Sequence, residues 1–225
     1  MPASSRSMRC GPGPRYWRHS GEFPVLARGR DTGFSSWRTI HYRRCVVQGI
    51  QPDFRDARDY DNHPAILLRT EALLDQDHIG WATRLCSHYP SVEVRIPDIQ
   101  MSSEESVLLA LIVRALVNTS LAAPSAGNPV CAEILDIALR QGAKQVLQRN
   151  HIDPANGNSV SSKAMPGRLI RNIQDSFDAF GDTNFLHQGL AKWARTDNEA
   201  QRQRGSHVQS CVQPVIRDAA GGFPT

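Results

Sequence analysis

Hydrophobic and polar residues alternate strictly from Ser91 to Ile96. Aliphatic residues occupy every second position, and a serine, Glu93 and Arg95 lie between them. This alternation predicts a β-strand with one aliphatic face and one polar face, on which Glu93 and Arg95 lie roughly 7 Å apart. A second β-like run, Ile79 to Leu85, precedes it across residues 86–90, and this spacing predicts a hairpin.

Helical periodicity dominates after Asp98. Ser102, followed three residues later by Glu105, forms a capping-box pattern that predicts a helix through Val117. Further helices are predicted from Asn128-Pro129 toward Gln148, and around Leu169–Phe180, Leu186–Trp193 and Val208–Ile216. Residues 34–47 are compatible with either a strand or a short helix. Strands followed by a helical second half indicate an α+β fold.

Positive charge is concentrated at the N-terminus. The 225 residues carry a formal net charge of +4, and residues 1–50 contain nine arginines against Glu22 and Asp31, so their charge is 9 − 2 = +7 and the remainder has 4 − 7 = −3. Residues 1–28 lack periodicity and are interpreted as an irregular Arg/Gly/Pro-rich segment. Its Arg15-Tyr16-Trp17-Arg18 run interleaves aromatic and charged groups as single-strand binders do. Short basic ends are usually solvated tails, so nucleic acid is the weakest of the partner hypotheses.

The cysteines and apolar runs predict the cellular compartment. Five cysteines occur without any C-x-x-C pair, a pattern typical of reduced intracellular thiols. The longest apolar run, Val107 to Val113, is too short to span a bilayer, and the first twenty residues lack the apolar core of a signal peptide. We therefore expect a cytoplasmic protein that does not enter a membrane.

Several common catalytic patterns are missing from the sequence. No histidine pair has zinc-ligand spacing, and no nucleophile elbow, Walker A loop or Rossmann glycine motif occurs. The candidate functional residues that remain are Glu93 and Arg95. Periodicity alone favours an exposed sheet face with a cross-strand ion pair. The functional alternative is a carboxylate that binds a divalent cation beside an arginine that binds phosphate or carboxylate oxygens, with Arg84 as a second positive group on that face.

Four segments in order resemble one family. The segment Trp81–Asp98 is similar to the W-D-x-R-P-S-x-x-x-P-T-V-E-V-R-x-x-D pattern of bacterial ATP-dependent carboxylate–amine ligases related to glutamate–cysteine ligase. Gly29–Arg38 resembles the family's G-x-D-T-G-Y-A-S-W-R, Ser106–Val117 resembles its D-A-V-L-L-A-A-L-V-R-A-L-V, and Glu199–Arg204 resembles its G-A-x-R-Q-R. Each motif is only moderately specific, but four in the family order indicate membership.

The resemblance implies a fold, cofactors and site residues. The fold would be glutamine-synthetase-like, with metal- and phosphate-binding side chains on one face of an antiparallel sheet. ATP and Mg²⁺ would be the cofactors, and ATP would phosphorylate a glutamate-like carboxylate before a cysteine-like amine forms the amide. By position, Glu93 is implied as a magnesium ligand and Arg84 and Arg95 as catalytic contacts to phosphate or carboxylate. Arg38 and Arg202 are implied as further substrate or phosphate contacts.

The sequence departs from the family pattern at several places. Ala82, Leu85 and Cys86 replace the family's Asp, Pro and Ser, and residues 196–198 replace a G-T-G turn. Asp98 and Arg202 match family positions, but a strand-end cap and a surface helix charge explain them equally well. Family members also have an N-terminal portion with Glu-x-Glu and His-x-His strands, and neither pattern occurs here.

These departures predict a truncated ligase that is weak or inactive alone. Residues 29–217 would be the C-terminal part of the catalytic domain, between the irregular segment 1–28 and a tail at 218–225. Its partners would be amino-acid substrates and ATP, with a homo-oligomer or a complementing N-terminal chain as further possibilities. The alternative is a non-catalytic interaction protein built on the helical second half.

Overall fold

The computed structural model describes residues 26–27, 30–86, 88–100, 102–122, 130–144, 150–154, 156–195 and 199–209. The predicted α+β class is confirmed. The strands of this part of the chain are β1 (Leu26–Ala27), β2 (Arg30–Asp31), β3 (Gln48–Gly49), β4 (Gly80–Trp81), β5 (Thr83–Leu85), β6 (Val92–Val94), β7 (Asn150–Ile152) and β8 (Ser159–Ser161). The helices are α1 (Trp37–Tyr42), α2 (Ala57–Leu68), α3 (Ser103–Ala122), α4 (Ala132–Lys144), α5 (Met165–Phe180), α6 (Thr183–Arg195) and α7 (Glu199–Gln209).

The strands pair two by two. β1–β2, β5–β6 and β7–β8 are antiparallel, and β3–β4 is parallel. Each sheet within the described ranges has two strands, so the larger sheet of a glutamine-synthetase-like fold stays a prediction. The domain boundaries at residues 28 and 217 and the tail at 218–225 lie outside the described residues, as does the predicted irregular segment 1–28 except for Leu26–Ala27, which form β1.

The predicted hairpin is confirmed over a shorter length. β5 and β6 pair with Arg84 opposite Glu93, but the run that begins at Ile79 is not one strand. It breaks at Ala82, whose N–H donates to the carbonyl of Gly49 while its own carbonyl accepts from the N–H of Arg95. This residue therefore joins the parallel β3–β4 pair to the antiparallel hairpin.

A cluster of aromatic side chains fixes the hairpin from one side. Trp81 is buried and packs against Phe54, Tyr60 and His63, with ring centroids 5.3 to 5.9 Å apart. The Tyr60 hydroxyl also accepts a 2.8 Å hydrogen bond from the backbone N–H of Leu85 at the end of β5. The position of β5 is thus set by α2, to which Tyr60 belongs.

Helices α3, α5 and α6 build the main core. The predicted cap of α3 is confirmed, because Ser102 Oγ accepts from the N–H of Glu105 at 3.3 Å. α3 is the one described helix that is long and apolar enough to cross a membrane by length and composition. One of its faces instead packs against α5 and α6, where the buried core residues are Leu108, Ile112, Ala115, Ile173, Phe177 and Leu186.

The other predicted helices have mixed outcomes. α5 and α6 contain the apolar stripes at residues 169–180 and 186–193, and the helix predicted toward Gln148 corresponds to α4. Its predicted start at Asn128-Pro129 lies outside the described residues, as do Val212 and Ile216 of the last stripe. Residues 37–42, which the pattern left open between strand and helix, form α1.

Candidate functional site

The polar face of the β5–β6 hairpin brings three predicted site residues together. Because Arg84 and Glu93 are directly opposite in the antiparallel register, their side chains lie on the same face. Arg84 Nε lies 2.6 Å from Glu93 Oε2, and Arg95 Nε lies 3.1 Å from Glu93 Oε1. The Glu93 carboxylate therefore bridges two guanidinium groups, one to each oxygen.

A backbone carbonyl holds the same two arginines. The carbonyl of Ile79 accepts from Nη1 of Arg84 and from Nη1 of Arg95, each at 3.2 Å. Nη1 of Arg84 lies 3.4 Å from the carbonyl of Gln76, and its Nη2 is 4.0 Å from Asp77 Oδ1. Both guanidinium groups are consequently fixed by local contacts.

Arg38 approaches the hairpin from α1. Its Nη1 donates to the carbonyls of Arg95 at 3.0 Å and Pro97 at 3.3 Å. The ring of Tyr42, one helical turn further along α1, lies 5.6 Å from the Arg38 guanidinium carbon and 5.7 Å from that of Arg95. Both distances are within cation–π range. Arg38 thus fixes the chain after β6. The ring of Tyr42 contacts the guanidinium groups of both Arg38 and Arg95.

Two pKa shifts describe the electrostatics of this region. Burial opposes the charge of Arg84, but the hydrogen bond and the charge of Glu93 outweigh it and raise the pKa of Arg84 above its ordinary value. Burial also raises the pKa of Asp98, while a hydrogen bond with Ser36 and the charge of Arg38 act in the opposite direction. Arg84 therefore keeps its charge, whereas the Asp98 carboxylate is disfavoured in its charged form.

A small cleft adjoins these residues. It measures about 30 Å³ and is lined in part by Arg38, Tyr42, Arg95 and Ile96. A cleft of this size accepts two or three water-sized groups, and it is far too small for a nucleotide. A larger ligand would have to bind across the open polar face of the hairpin. That face presents guanidinium groups, which suit phosphate and carboxylate oxygens.

The residues of this site do not form a magnesium centre by themselves. Magnesium is usually held by one or two carboxylates together with phosphates and water. Both oxygens of Glu93 already contact guanidinium groups. No group of three or more His, Cys, Asp or Glu side chains within the described ranges is placed to bind a metal ion. The predicted role of Glu93 as a magnesium ligand stays a prediction.

Arg202 lies elsewhere in the structure. Its Nη2 is 3.1 Å from Oε1 of Glu105, a buried residue in the first turn of α3. Arg204, two residues later on α7, pairs with Asp31 and donates to the carbonyl of Phe34. No contact in the described part of the chain joins Arg202 to the hairpin arginines, so its predicted substrate role is untested.

Sequence reasoning missed two contributors to the site. Tyr42 follows Arg38 by four residues, a spacing that would have indicated a contact had this segment been recognised as a helix. The Ile79 carbonyl is a backbone group at a chain bend, and side-chain patterns carry no signal for such a group.

Cys86, at a family serine position, has a lowered thiol pKa because the backbone N–H groups of His88 and Tyr89 donate to it.

Comparison with known proteins identifies the family. The sequence profile described as glutamate-cysteine ligase family 2 matches residues 26–207. The chain is 34% identical to "Putative glutamate–cysteine ligase 2-1" of Nocardia farcinica, over 80% of this chain and 48% of that protein. It is 33% identical to "Putative glutamate–cysteine ligase 2-2" of Mycobacterium sp. strain KMS, over 81% of this chain and 51% of that protein.

A third relative gives a similar result. "Putative glutamate–cysteine ligase 2-1" of Saccharopolyspora erythraea is 33% identical, over 88% of this chain and 55% of that protein. The chain therefore spans about half the length of these curated relatives. The resemblance predicted from the four motifs is confirmed, and the chain belongs to glutamate-cysteine ligase family 2.

Proposed function

We propose that this chain contributes the oxyanion-binding arginines of an ATP-dependent ligase. The ligase joins a glutamate-like carboxylate to a cysteine-like amine. The observation that carries the proposal is the placement of Arg84 and Arg95 around Glu93 on the hairpin of a glutamate-cysteine ligase family member. Guanidinium groups fixed in a partly buried site are well suited to stabilise negative charge that develops on phosphate or carboxylate oxygens.

The reaction proceeds in two steps under this proposal. A carboxylate oxygen of the first substrate attacks the γ-phosphorus of ATP, and ADP leaves with the electrons of the broken P–O bond. The amine then attacks the acyl carbon of the resulting acyl phosphate, inorganic phosphate leaves, and the amine loses a proton. Arg84 and Arg95 stabilise charge on the transferring phosphoryl group or on the substrate carboxylate.

Magnesium is part of the proposal as the ion that accompanies the ATP phosphates and spreads their charge. Its protein ligands then come from residues beyond those described in this structure. The chain alone is accordingly proposed to be weak or inactive, with the remaining groups supplied by a complementing chain or by another copy. A cytoplasmic location fits the use of ATP and the unpaired thiols of Cys45, Cys86 and Cys131.

A fusion experiment tests this proposal. The chain alone, incubated with ATP, Mg²⁺, glutamate and cysteine, is expected to release little phosphate. The chain joined to the portion of the Nocardia farcinica relative outside the match is expected to form the amide and release phosphate. In that fusion, Arg84→Gln and Arg95→Gln should each lower kcat by about 10²–10³-fold.

Matched controls separate the site from the general charge of the chain. Arg58→Gln changes an exposed arginine of α2 and should leave turnover in the fusion unchanged. Robust turnover by the chain alone, abolished by Glu93→Ala, would contradict the proposed dependence on further residues. A folded fusion that forms no amide would contradict the proposed ligase reaction.

A further inference from the structure

Both carboxylate oxygens of Glu93 contact positively charged groups. Each carboxylate oxygen contacts the Nε group of a different arginine, at 2.6 Å for Arg84 and 3.1 Å for Arg95. The side chains of these arginines are only 19% and 23% exposed, whereas that of Glu93 is 39% exposed. The carboxylate thus forms an ion bridge between two guanidinium groups that are less exposed than itself.

A second shared acceptor makes the arrangement rigid. The Ile79 carbonyl accepts from Nη1 of both arginines. Each guanidinium group therefore has two edges fixed, one by Glu93 and one by Ile79. Within the described ranges Nη2 of Arg84 forms a 4.0 Å ion pair with Asp77 Oδ1, and no hydrogen bond of Arg95 Nη2 is observed. An added oxyanion would meet these two Nη2 groups and would share that of Arg84 with Asp77.

The charge balance of the bridge favours an anion over a cation. Arg84, Arg95, Glu93 and Asp77, the ion-pair partner of Arg84, sum to zero, and Arg38, whose Nη1 contacts the Arg95 carbonyl, makes the local charge +1. A metal ion at Glu93 would have to replace two charge-assisted contacts and approach two guanidinium groups. An oxyanion would meet two oriented donors at no such cost.

We infer that Glu93 is a positioning residue that, together with the Ile79 carbonyl, orients Arg84 and Arg95 as a two-guanidinium receptor for one oxyanion, a phosphate or carboxylate group. This role differs from that of a magnesium ligand, and it rests on the proposed function. The occupant is either the phosphate chain of the nucleotide or the carboxylate of the amino-acid substrate. The two sources present the same oxygen chemistry to the receptor.

Arginine Nε–H signals in NMR spectra of the whole ¹⁵N-arginine-labelled chain test the inference without any need for activity. Arg84→Lys and Arg95→Lys assign the two signals. Three titrations follow, with Mn²⁺ alone, with pyrophosphate alone and with glutamate alone. Pyrophosphate or glutamate is expected to shift both signals saturably, and the ligand that does so identifies the source of the oxyanion. Mn²⁺ alone is expected to leave both signals sharp.

The variant Glu93→Gln separates positioning from simple electrostatics. Gln offers one acceptor oxygen where Glu93 presents two, so one of the two Nε–H groups would face the amide NH₂ group and should exchange faster with water. Anion binding should weaken about tenfold, although the substitution removes a negative charge. Tighter anion binding in Glu93→Gln would overturn the positioning role. Glu104→Gln, which changes an exposed glutamate on α3, is the matched control and should alter neither signal.

The titrations also distinguish failure of this inference from failure of the proposed ligase. Saturable broadening of both signals by Mn²⁺ in the unmodified chain, lost in Glu93→Gln, would make Glu93 a metal ligand. That result overturns the inference and leaves the ligase proposal standing. A folded chain whose two signals respond to neither pyrophosphate nor glutamate would overturn the inference, whereas the ligase proposal is decided by amide formation in the fusion. If the variant does not fold, the pyrophosphate and glutamate titrations of the unmodified chain still test the receptor.

Discussion

The side chain of Arg38 donates hydrogen bonds to backbone carbonyl groups near the site. Its Nη1 donates to the carbonyls of Arg95 and Pro97, and its guanidinium group lies against the ring of Tyr42. These contacts fix the chain that follows β6 while the positive charge stays beside Arg95. Its role as a substrate contact stays a prediction, in which the substrate meets the donors that these carbonyls do not use.

Asp98 gives the site region a pH dependence. Burial raises its pKa above the ordinary value of 3.8, against the opposing effects of Ser36 and Arg38. The native state then holds this proton at pH values where the unfolded state has released it. Its contribution to stability is therefore present at low pH and is lost as pH rises through the raised pKa. We predict that the stability of Asp98→Asn relative to the unmodified chain increases as pH rises from about 4 to 8.

Urea unfolding across this pH range measures the effect, and Asp59→Asn is a control of opposite sign. Hydrogen bonds from the backbone and side chain of Arg55 lower the pKa of Asp59, so its contribution is present at neutral pH and is lost as pH falls. The stability of Asp59→Asn relative to the unmodified chain should therefore increase toward low pH. Parallel pH profiles for the two variants would contradict the assignment for Asp98.

At the scale of elements, the hairpin shows what local patterns can and cannot predict. The alternation from residue 91 to 96 correctly gave the two faces of β6, because side-chain direction in a strand depends only on position. The break at Ala82 was missed, since it arises from pairing with Gly49 more than thirty residues earlier. The contact between Arg38 and the Arg95 carbonyl spans 57 residues and has no local signal either.

The packing of α6 on α3 depends on a glycine. A Cβ placed on Gly189 would lie 2.5 Å from Cδ2 of Leu108, which is almost fully buried in the core and has little room to move. We predict that Gly189→Ala destabilises the chain by about 1–3 kcal/mol through overpacking, despite the better helix propensity of alanine. Thermal or urea unfolding measures this change.

Gly142→Ala on α4 is the matched control. An added Cβ there meets no atom within 4 Å, so the same substitution should stabilise the chain by about 0.5–1 kcal/mol. Opposite signs for the two variants are the expected result. If Gly189→Ala is as stable as Gly142→Ala, then α3 and α6 do not approach each other as closely as the structure places them.

For the whole molecule, sequence alone was sufficient for the family and for the α+β class. Four motifs in order gave the family, and residues 26–207 match its profile. A cross-strand ion pair on this face was one of the two interpretations of the strand pattern, and Arg84 opposite Glu93 forms it. A motif indicates which residues a family uses. It does not indicate that Arg84 contacts both the Glu93 carboxylate and the Ile79 carbonyl, because these contacts depend on three-dimensional placement. The chain spans about half the length of the matched relatives, so the site of a whole relative is not described by these residues alone.

Ligand-linked stability distinguishes the ligase from a non-catalytic interaction protein. A ligand that binds only the native state raises stability by RT ln(1 + [L]/Kd), which is about 2.7 kcal/mol at one hundred times Kd and about 5–10 °C in Tm for a chain of this size. We predict that ATP with Mg²⁺ raises the Tm of the chain. Arg95→Gln should reduce this rise strongly, and Arg58→Gln, which changes an exposed residue of α2, should preserve it. Differential scanning fluorimetry over a range of ATP concentrations measures all three. An interaction protein without a nucleotide site would show the same Tm at every ATP concentration, and equal losses in both variants would indicate a nonspecific effect of charge.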